Sequence, residues 1–133
     1  MQLSALGQIA LPVSDLDRAQ KFYGEELGLR LLFRSGRLVF FDCGGVRLLL
    51  EGPPHEAPLR PSAGCLYFKV PHIETAYDEL RGQHVEFDGA PHLIAKMPDH
   101  DLWMAFFTDP DGHQLAIMDE KRHRTPGATP GSA

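Results

Sequence analysis

Histidine and carboxylate side chains are the first candidates for chemistry in this sequence. Asp99, His100 and Asp101 stand next to one another, and a carboxylate beside an imidazole can orient the ring for proton transfer. His92 precedes them in the same predicted connection, residues 89–101. Long connections on a rigid scaffold commonly form the lids of binding cavities. His92 and His100 are therefore candidate catalytic residues, and a solvated polar loop tip is the alternative interpretation.

A second group of chemically capable residues lies on one predicted strand. Cys65, Tyr67 and Lys69 alternate along that strand and so share a face. Tyr67 offers a hydroxyl and a ring, either for acid–base work or for ligand binding. Cys65 can act as a nucleophile or as a soft-metal ligand, and a small buried cysteine is the alternative. Trp103 is predicted to line the mouth of a cavity, with core packing as its alternative role.

The elements that must position these residues form two halves. In the first half, Ser14 or Asp15 caps a helix that the apolar spacing extends to Leu27, and Gly28 ends it. Ser35-Gly36 and Gly44-Gly45 predict hairpin turns between short strands. The predicted elements are a strand at Gln8–Val13, a helix at Asp15–Leu27, and strands at Arg30–Arg34, Leu38–Asp42 and Val46–Glu51.

The second half follows a proline-rich linker, residues 52–64, which cannot form regular structure. A helix starts at Pro71-His72-Ile73-Glu74 and stops at Gly82. Apart from His92 and His100, most histidines of the chain are expected at the surface. Residues 121–133 are rich in glycine and proline towards their end and predict a disordered tail. The predicted strands are Cys65–Val70, Val85–Asp88, Leu102–Thr108 and His113–Met118.

An internal repeat relates the two halves. When the halves are aligned, Gln8 falls on Cys65, and Phe40-Phe41 falls on Phe106-Phe107. Leu49 falls on Ala116 in the same alignment. Each half is a strand, a helix and three strands, so the sequence predicts an α+β fold of two βαβββ repeats. We expect one domain over residues 1–120, with repeats at about 6–51 and 65–120, whose curved mixed sheet surrounds a cleft.

The segments QIALPVSDLDRAQKFYGEELGL and FFTDPDGHQLAIM carry a resemblance to a known family. Together with the repeat, the chain resembles the vicinal oxygen chelate superfamily. That superfamily contains glyoxalases, extradiol dioxygenases, methylmalonyl-CoA epimerases, and fosfomycin- and bleomycin-resistance proteins. The resemblance covers about residues 6–120 and implies a glyoxalase-like fold with a small-molecule cleft.

The resemblance also implies where a divalent metal ion would bind. The four metal-ligand positions of similar proteins fall here on Gln8, Leu49, Cys65 and Ala116, which the resemblance places at the cleft centre as ligand-binding residues. Leu49 and Ala116 offer no donor atom, whereas hard divalent ions need oxygen or imidazole donors. Glu51 shares the face of Leu49 by strand alternation. A register slip would make Gln8, Glu51 and Cys65 a three-ligand set; otherwise Glu51 simply ends its strand.

Composition narrows the range of partners. The chain has 133 residues with a formal net charge of −5, which disfavours nucleic acid as a partner because phosphate binding needs a basic face. No apolar run reaches the roughly 20 residues that span a bilayer. Without a secretory leader, we expect a cytoplasmic protein with reduced Cys43 and Cys65. Edge strands that need covering lead us to expect a homodimer.

Three functions remain open at this stage. The first is a binding or resistance-type protein that holds a small, partly apolar ligand at a degenerate metal site, with contacts from Gln8, Tyr67 and Trp103. The second is a metal-dependent lyase, isomerase or dioxygenase. The third is a metal-free acid–base enzyme that uses His92, His100 or Tyr67. The cofactor stays open at this stage, and a divalent metal ion is the candidate.

Overall fold

Two four-stranded sheets organise the computed structural model, which describes residues 1–123. Contacts group these residues into two units, one of residues 1–64 and 108–114, the other of residues 65–107 and 115 onward. Each unit supplies a strand, a helix and three further strands, which confirms the α+β fold of two βαβββ repeats. The elements are β1 (Gln8–Pro12), α1 (Leu16–Lys21), β2 (Arg30–Ser35), β3 (Leu38–Cys43), β4 (Val46–Glu51), β5 (Cys65–Lys69), α2 (Ile73–Gly82), β6 (His92–Lys96), β7 (His100–Thr108) and β8 (Gln114–Arg122).

Sheet A, in the first unit, has the strand order β1-β4-β3-β2. β1 runs parallel to β4, and the hairpins β2–β3 and β3–β4 are antiparallel. Alternate residues of β3 and β4 face the helix and are buried, whereas every residue of the edge strand β2 is exposed. The buried apolar residues of this unit are Leu11, Val13, Leu16, Ala19, Phe22, Tyr23, Val39, Phe41, Leu48, Leu49 and Leu50.

The first helix changes its winding halfway along. Asp15 caps it by accepting a hydrogen bond from the Arg18 amide at 3.1 Å, as expected. From Phe22 to Glu26 the chain forms a π-helical turn, where the Leu27 amide donates to the Phe22 carbonyl at 2.9 Å. Gly24 lies so close to Phe41 that an added Cβ would be 3.2 Å from the ring. Helical spacing alone predicts the extent of this segment but not the wider turn.

Sheet B, in the second unit, has the order β5-β8-β7-β6. The strand predicted at Val85–Asp88 is wrong, because those residues form only an isolated bridge between Phe87 and Phe107. The true strand is β6, within the predicted connection 89–101. Leu93 and Ile94 are 40% and 43% exposed, so this edge strand buries neither face and shows no apolar alternation.

The ends of α2 and β8 bear on two smaller expectations, of which the second needs correction. α2 ends at Gly82 as expected, yet His84 rather than a glycine takes the left-handed conformation, with φ at 70°. β8 continues to Arg122, because the last residues of the strand make polar contacts in place of apolar ones. Residues 121 and 122 are therefore strand and not tail. The rest of the predicted tail, residues 124–133, lies outside the described residues. Within residues 1–123, no helix is long and apolar enough to cross a membrane.

Candidate functional site

The register of sheet A places several predicted site residues on one face. β1 and β4 pair Gln8 with Arg47, Ala10 with Leu49, and Pro12 with Glu51. Gln8, Leu49 and Glu51 therefore share the face opposite α1, but in three successive rows. Gln8 and Glu51 lie four strand positions apart, about 13 Å at 3.3 Å per residue. This separation does not favour a metal ion held jointly by Gln8 and Glu51.

An aromatic row crosses the same face and was not anticipated from the sequence. Strand pairing lines up Phe33, Phe40, Leu49 and Ala10 across β2, β3, β4 and β1. The rings of Phe33 and Phe40 are stacked, with centroids 4.4 Å apart and planes inclined by 25°. Phe33 remains 49% exposed, whereas Leu49 retains 7%. Along the row, the side chains therefore become smaller, from two stacked phenylalanine rings to leucine and then alanine.

A polar row runs beside the aromatic one and carries an excess of positive charge. It consists of Gln8, Arg47, Asp42 and Arg30 in strand order. Asp42 pairs with Arg30 at 3.3 Å and accepts the Gly45 amide at 3.1 Å. The Arg47 guanidinium lies 5.9 Å from the Phe40 centroid and forms no ion pair with the described residues. Arg47 is therefore an exposed cation beside an aromatic surface.

In the second unit, Tyr67 stands among aromatic neighbours on sheet B. Its ring centroid is 6.3 Å from that of Phe106 on β7. The ring centroid of His92, on β6, is 6.1 Å from that of Phe106. Burial raises the pKa of the Cys65 thiol, and its contact with Tyr67 lowers that pKa only in part. The charge that Cys65 would carry raises the pKa of the Tyr67 hydroxyl. Both groups stay protonated near neutral pH, which makes Cys65 a poor nucleophile.

His92 and His100 lie on strands and not in a loop, which corrects their predicted placement. His92 begins β6, opposite Met104, and its Nδ1 lies 3.2 Å from the Ala90 carbonyl oxygen. His100 begins β7 and is 14% exposed, with Nδ1 2.7 Å from Asp99 Oδ1 and Nε2 3.4 Å from Glu120 Oε2. Glu120 also pairs with Lys69 at 2.9 Å. Of the two histidines, only His100 has carboxylate partners that could orient it.

Trp103 lies on the other face of β7 from these residues. It pairs with Leu93 on β6, and by alternation it shares its face with Ala105 and Phe107, which are both fully buried. Tyr67 contacts Phe106, on the opposite face. Within this unit, the structure therefore separates Trp103 from Tyr67, an arrangement that favours the core-packing interpretation of Trp103.

His113 is the buried exception to the expectation of surface histidines. It is 1% exposed, its Nδ1 accepts the Ser62 amide at 2.8 Å, and its Nε2 lies 2.6 Å from the Pro12 carbonyl. These contacts require the neutral tautomer with the proton on Nε2. His113 therefore fastens the turn at residues 109–112 to β1, a structural role.

The positions that the resemblance assigns to a metal ion do not suit one. Leu49 and Ala116 are 7% and 0% exposed, respectively, and neither carries a donor atom. Among residues 1–123, no three or more His, Cys, Asp and Glu side chains are grouped so that they could hold a metal ion. The residues present do not fit a hard divalent ion, since its coordination needs several oxygen or imidazole donors.

The carboxylate beside His100 gives a testable pH dependence. The hydrogen bond from His100 is the main cause of the lowered pKa of Asp99, so this contact stabilises the fold above the unfolded-state pKa and is lost as the pH falls through the folded-state value. We expect the pKa of Asp99, followed by NMR, to rise towards its ordinary value in His100→Gln. The pKa of Glu74 is lowered mainly by the hydrogen bond from Lys121, with no contribution from His100, and serves as the control: it should stay low. An unchanged Asp99 pKa would contradict the pairing.

Comparisons with known proteins identify the family. A family model described as "Glyoxalase/Bleomycin resistance protein/Dioxygenase superfamily" matches residues 5–117. Glutathione transferase FosA of Serratia marcescens is 30% identical over 118 residues, covering 86% of this chain and 80% of that protein. Metallothiol transferase FosB of Lysinibacillus sphaericus is 25% identical over 117 residues, covering 86% and 82%.

Solved structures agree on the fold. The crystal structure of lactoylglutathione lyase from Agrobacterium tumefaciens has a TM-score of 0.72 at 23% identity, covering 89% of this chain and 95% of that one. At this identity the similarity shows a shared fold. The family model covers most of the chain. This chain is thus a member of the glyoxalase/bleomycin resistance protein/dioxygenase superfamily.

Proposed function

We propose that the protein binds a small, partly apolar ligand without the help of a metal ion. The observation that carries this proposal is the chemistry of two positions. Where the family resemblance puts metal-binding carboxylates, the chain has Leu49 and Ala116, both buried. Apolar side chains there exclude water and suit an apolar ligand body, as in most small-molecule sites.

A thermal-shift screen tests this proposal. Purified protein is screened against a library of small aromatic and aliphatic acids, amides and alcohols, once with EDTA and once with Mn²⁺ or Zn²⁺. We expect ligands that raise the melting temperature equally in both conditions, because ligand binding to the folded state stabilises it by mass action. Ligands that act only in the presence of metal would overturn the proposal.

A second candidate function, a metal-free acid–base enzyme, is favoured by one observation. His100 lies between the carboxylates of Asp99 and Glu120, at 2.7 and 3.4 Å, and paired groups of this kind can hold an imidazole for proton transfer. Under this function, mass spectrometry detects conversion of a screened ligand. His100→Gln then abolishes turnover and leaves the affinity for that ligand nearly unchanged. Ligands that remain intact after long incubation contradict the enzyme.

A further inference from the structure

We propose that the face of sheet A opposite α1 binds a planar aromatic anion, whose ring continues the stack of Phe33 and Phe40 and whose acidic group contacts Arg47. This inference rests on the proposed ligand-binding function and names the chemical class of the ligand. It concerns the first unit alone, and it depends on the strand register, the stacking of two rings and one unpaired cation.

The aromatic row provides a place for one more ring. Stacked side chains on neighbouring strands follow the strand spacing of about 4.8 Å, and Phe33 and Phe40 are 4.4 Å apart in this way. The next two positions in the row are Leu49 and Ala10. The second face of Phe40 is covered by Arg47, whose guanidinium lies over the ring 5.9 Å from its centroid, and Leu49 beside it is 7% exposed. Arg47 and Ala10 are both exposed, so the guanidinium can swing to the edge of a ligand ring that stacks on Phe40 in its place.

The charge of Arg47 favours an anion at this place. Arg47 is exposed, and its guanidinium lies 5.9 Å from the Phe40 centroid, within reach of a group attached to a ring stacked there. Asp42, the carboxylate in the same row, is occupied by Arg30 and the Gly45 amide. An arginine with five donors and no carboxylate partner binds carboxylate or phosphate groups well.

The rows on either side of the aromatic row determine which way the acidic group of the ligand points. On one side, Gln8 pairs with Arg47 across β1 and β4 and adds amide donors. On the other side lies Glu51, opposite Pro12 and Leu38. The negative charge of Glu51 disfavours an anion on its side, so the acidic group points towards Arg47. An aliphatic anion lacks the stacking, and an aromatic cation meets the wrong charge.

Three probes of matched shape separate these contributions. 2-Naphthoate has the ring and the charge, 2-naphthamide has the ring without the charge, and decahydro-2-naphthoate has the charge without the aromatic ring. Affinities are measured by isothermal titration calorimetry on the full-length chain. We expect 2-naphthoate to bind at least tenfold more tightly than either of the other two, since an Arg–carboxylate contact and ring stacking each contribute on this scale.

Variants assign the two preferences to residues. Arg47→Gln should remove the preference for naphthoate over naphthamide, and Arg47→Lys should restore part of it. Phe40→Leu should remove the preference for naphthoate over its saturated form. Arg81→Gln is the matched control, because Arg81 also lies over a ring, that of Tyr77 at 5.1 Å, but in the second unit. The melting temperature of each variant, measured first, shows that it is folded.

Two results would overturn the inference: naphthoate that fails to bind or binds no better than naphthamide, or a naphthoate preference that survives in Arg47→Gln. The first result, together with metal-independent ligands in the thermal-shift screen, shows that the ligand class is wrong while the binding function stands. Ligands that all require a metal ion instead overturn the binding function itself, whichever probe binds.

Discussion

Replacing Asp109 with alanine is expected to lower the free energy of unfolding by roughly 3–5 kcal/mol, because three donors in buried or part-buried hydrogen bonds lose their acceptor and each costs about 1–3 kcal/mol, partly recovered by water. Asp109 is 5% exposed. Its Oδ1 accepts the amides of Asp111 and His113 at 2.9 and 2.8 Å, and its Oδ2 accepts the Tyr23 hydroxyl at 2.7 Å. Burial raises the pKa of Tyr23 far above its ordinary value, so Tyr23 remains a donor throughout the accessible pH range.

Urea unfolding followed by circular dichroism measures this loss, with two controls. Tyr23→Phe removes one of the three donors and should cost about 1–2 kcal/mol. Asp78→Ala removes an exposed carboxylate on α2 and should change stability by no more than about 0.5 kcal/mol. A smaller loss for Asp109→Ala than for Tyr23→Phe would show that the two amides find other acceptors and that the carboxylate does not organise the turn.

The same turn, at the sequence segment DPDG, makes further contacts within the first unit. Asp111 accepts the Ser14 amide at 3.1 Å, and His113 contacts the Pro12 carbonyl. Gly112 takes a positive φ of 85°, a conformation that glycine adopts without strain. The turn therefore fastens the end of β1 to the start of α1. These contacts join residues far apart in the chain, so the motif could be recognised from the sequence but its partners could not.

Most of the fold could be predicted because the patterns that specify it are local. Alternating apolar residues and glycine turns located β3, β4 and the first part of β8, and the spacing of Leu16 and Ala19 located α1. β6 was missed because an exposed edge strand has no buried face to impose alternation on its sequence. That error placed His92 and His100 in a loop. The homodimer and the cytoplasmic location stay predictions.

The aromatic row could not be read from strand alternation alone, because alternation gives the faces of one strand but not its register against the next. A second pattern in the sequence does set the register of β3 against β4. The predicted two-residue turn Gly44-Gly45 pairs Cys43 with Val46, and counting outward from that pair sets Phe40 opposite Leu49. The Arg47 contact follows from the same count. The bulge between Leu31 and Phe33, in contrast, has no mark in the sequence, so Phe33 could be placed only by the structure.

Leu49→Glu should test both the apolar character of this row and its lack of metal ligands. Leu49 lies between Ala10 and Phe40 across the strands and is 7% exposed. A carboxylate placed there loses most of its hydration, and we expect the free energy of unfolding to fall by about 2–4 kcal/mol at pH 8. Leu49→Gln has a similar shape without the charge and serves as the control. Leu49→Met should cost less than about 1.5 kcal/mol.

The pH dependence of Leu49→Glu separates lost hydration from altered packing. Poor hydration raises the folded-state pKa of the introduced carboxyl above its unfolded value of about 4.3. The loss of stability is therefore smallest below that pH and grows as the pH rises through the folded-state pKa. Urea unfolding should show a smaller deficit at pH 5 than at pH 8 for Leu49→Glu, but equal deficits for Leu49→Gln. At pH 8, Leu49→Glu should also weaken the binding of 2-naphthoate more than that of 2-naphthamide, because the new charge repels the anion. If Mn²⁺ raises the melting temperature of the unaltered protein, donors for a metal ion are present there after all, and the metal-free function is wrong; a rise confined to Leu49→Glu means only that the new carboxylate completes a site.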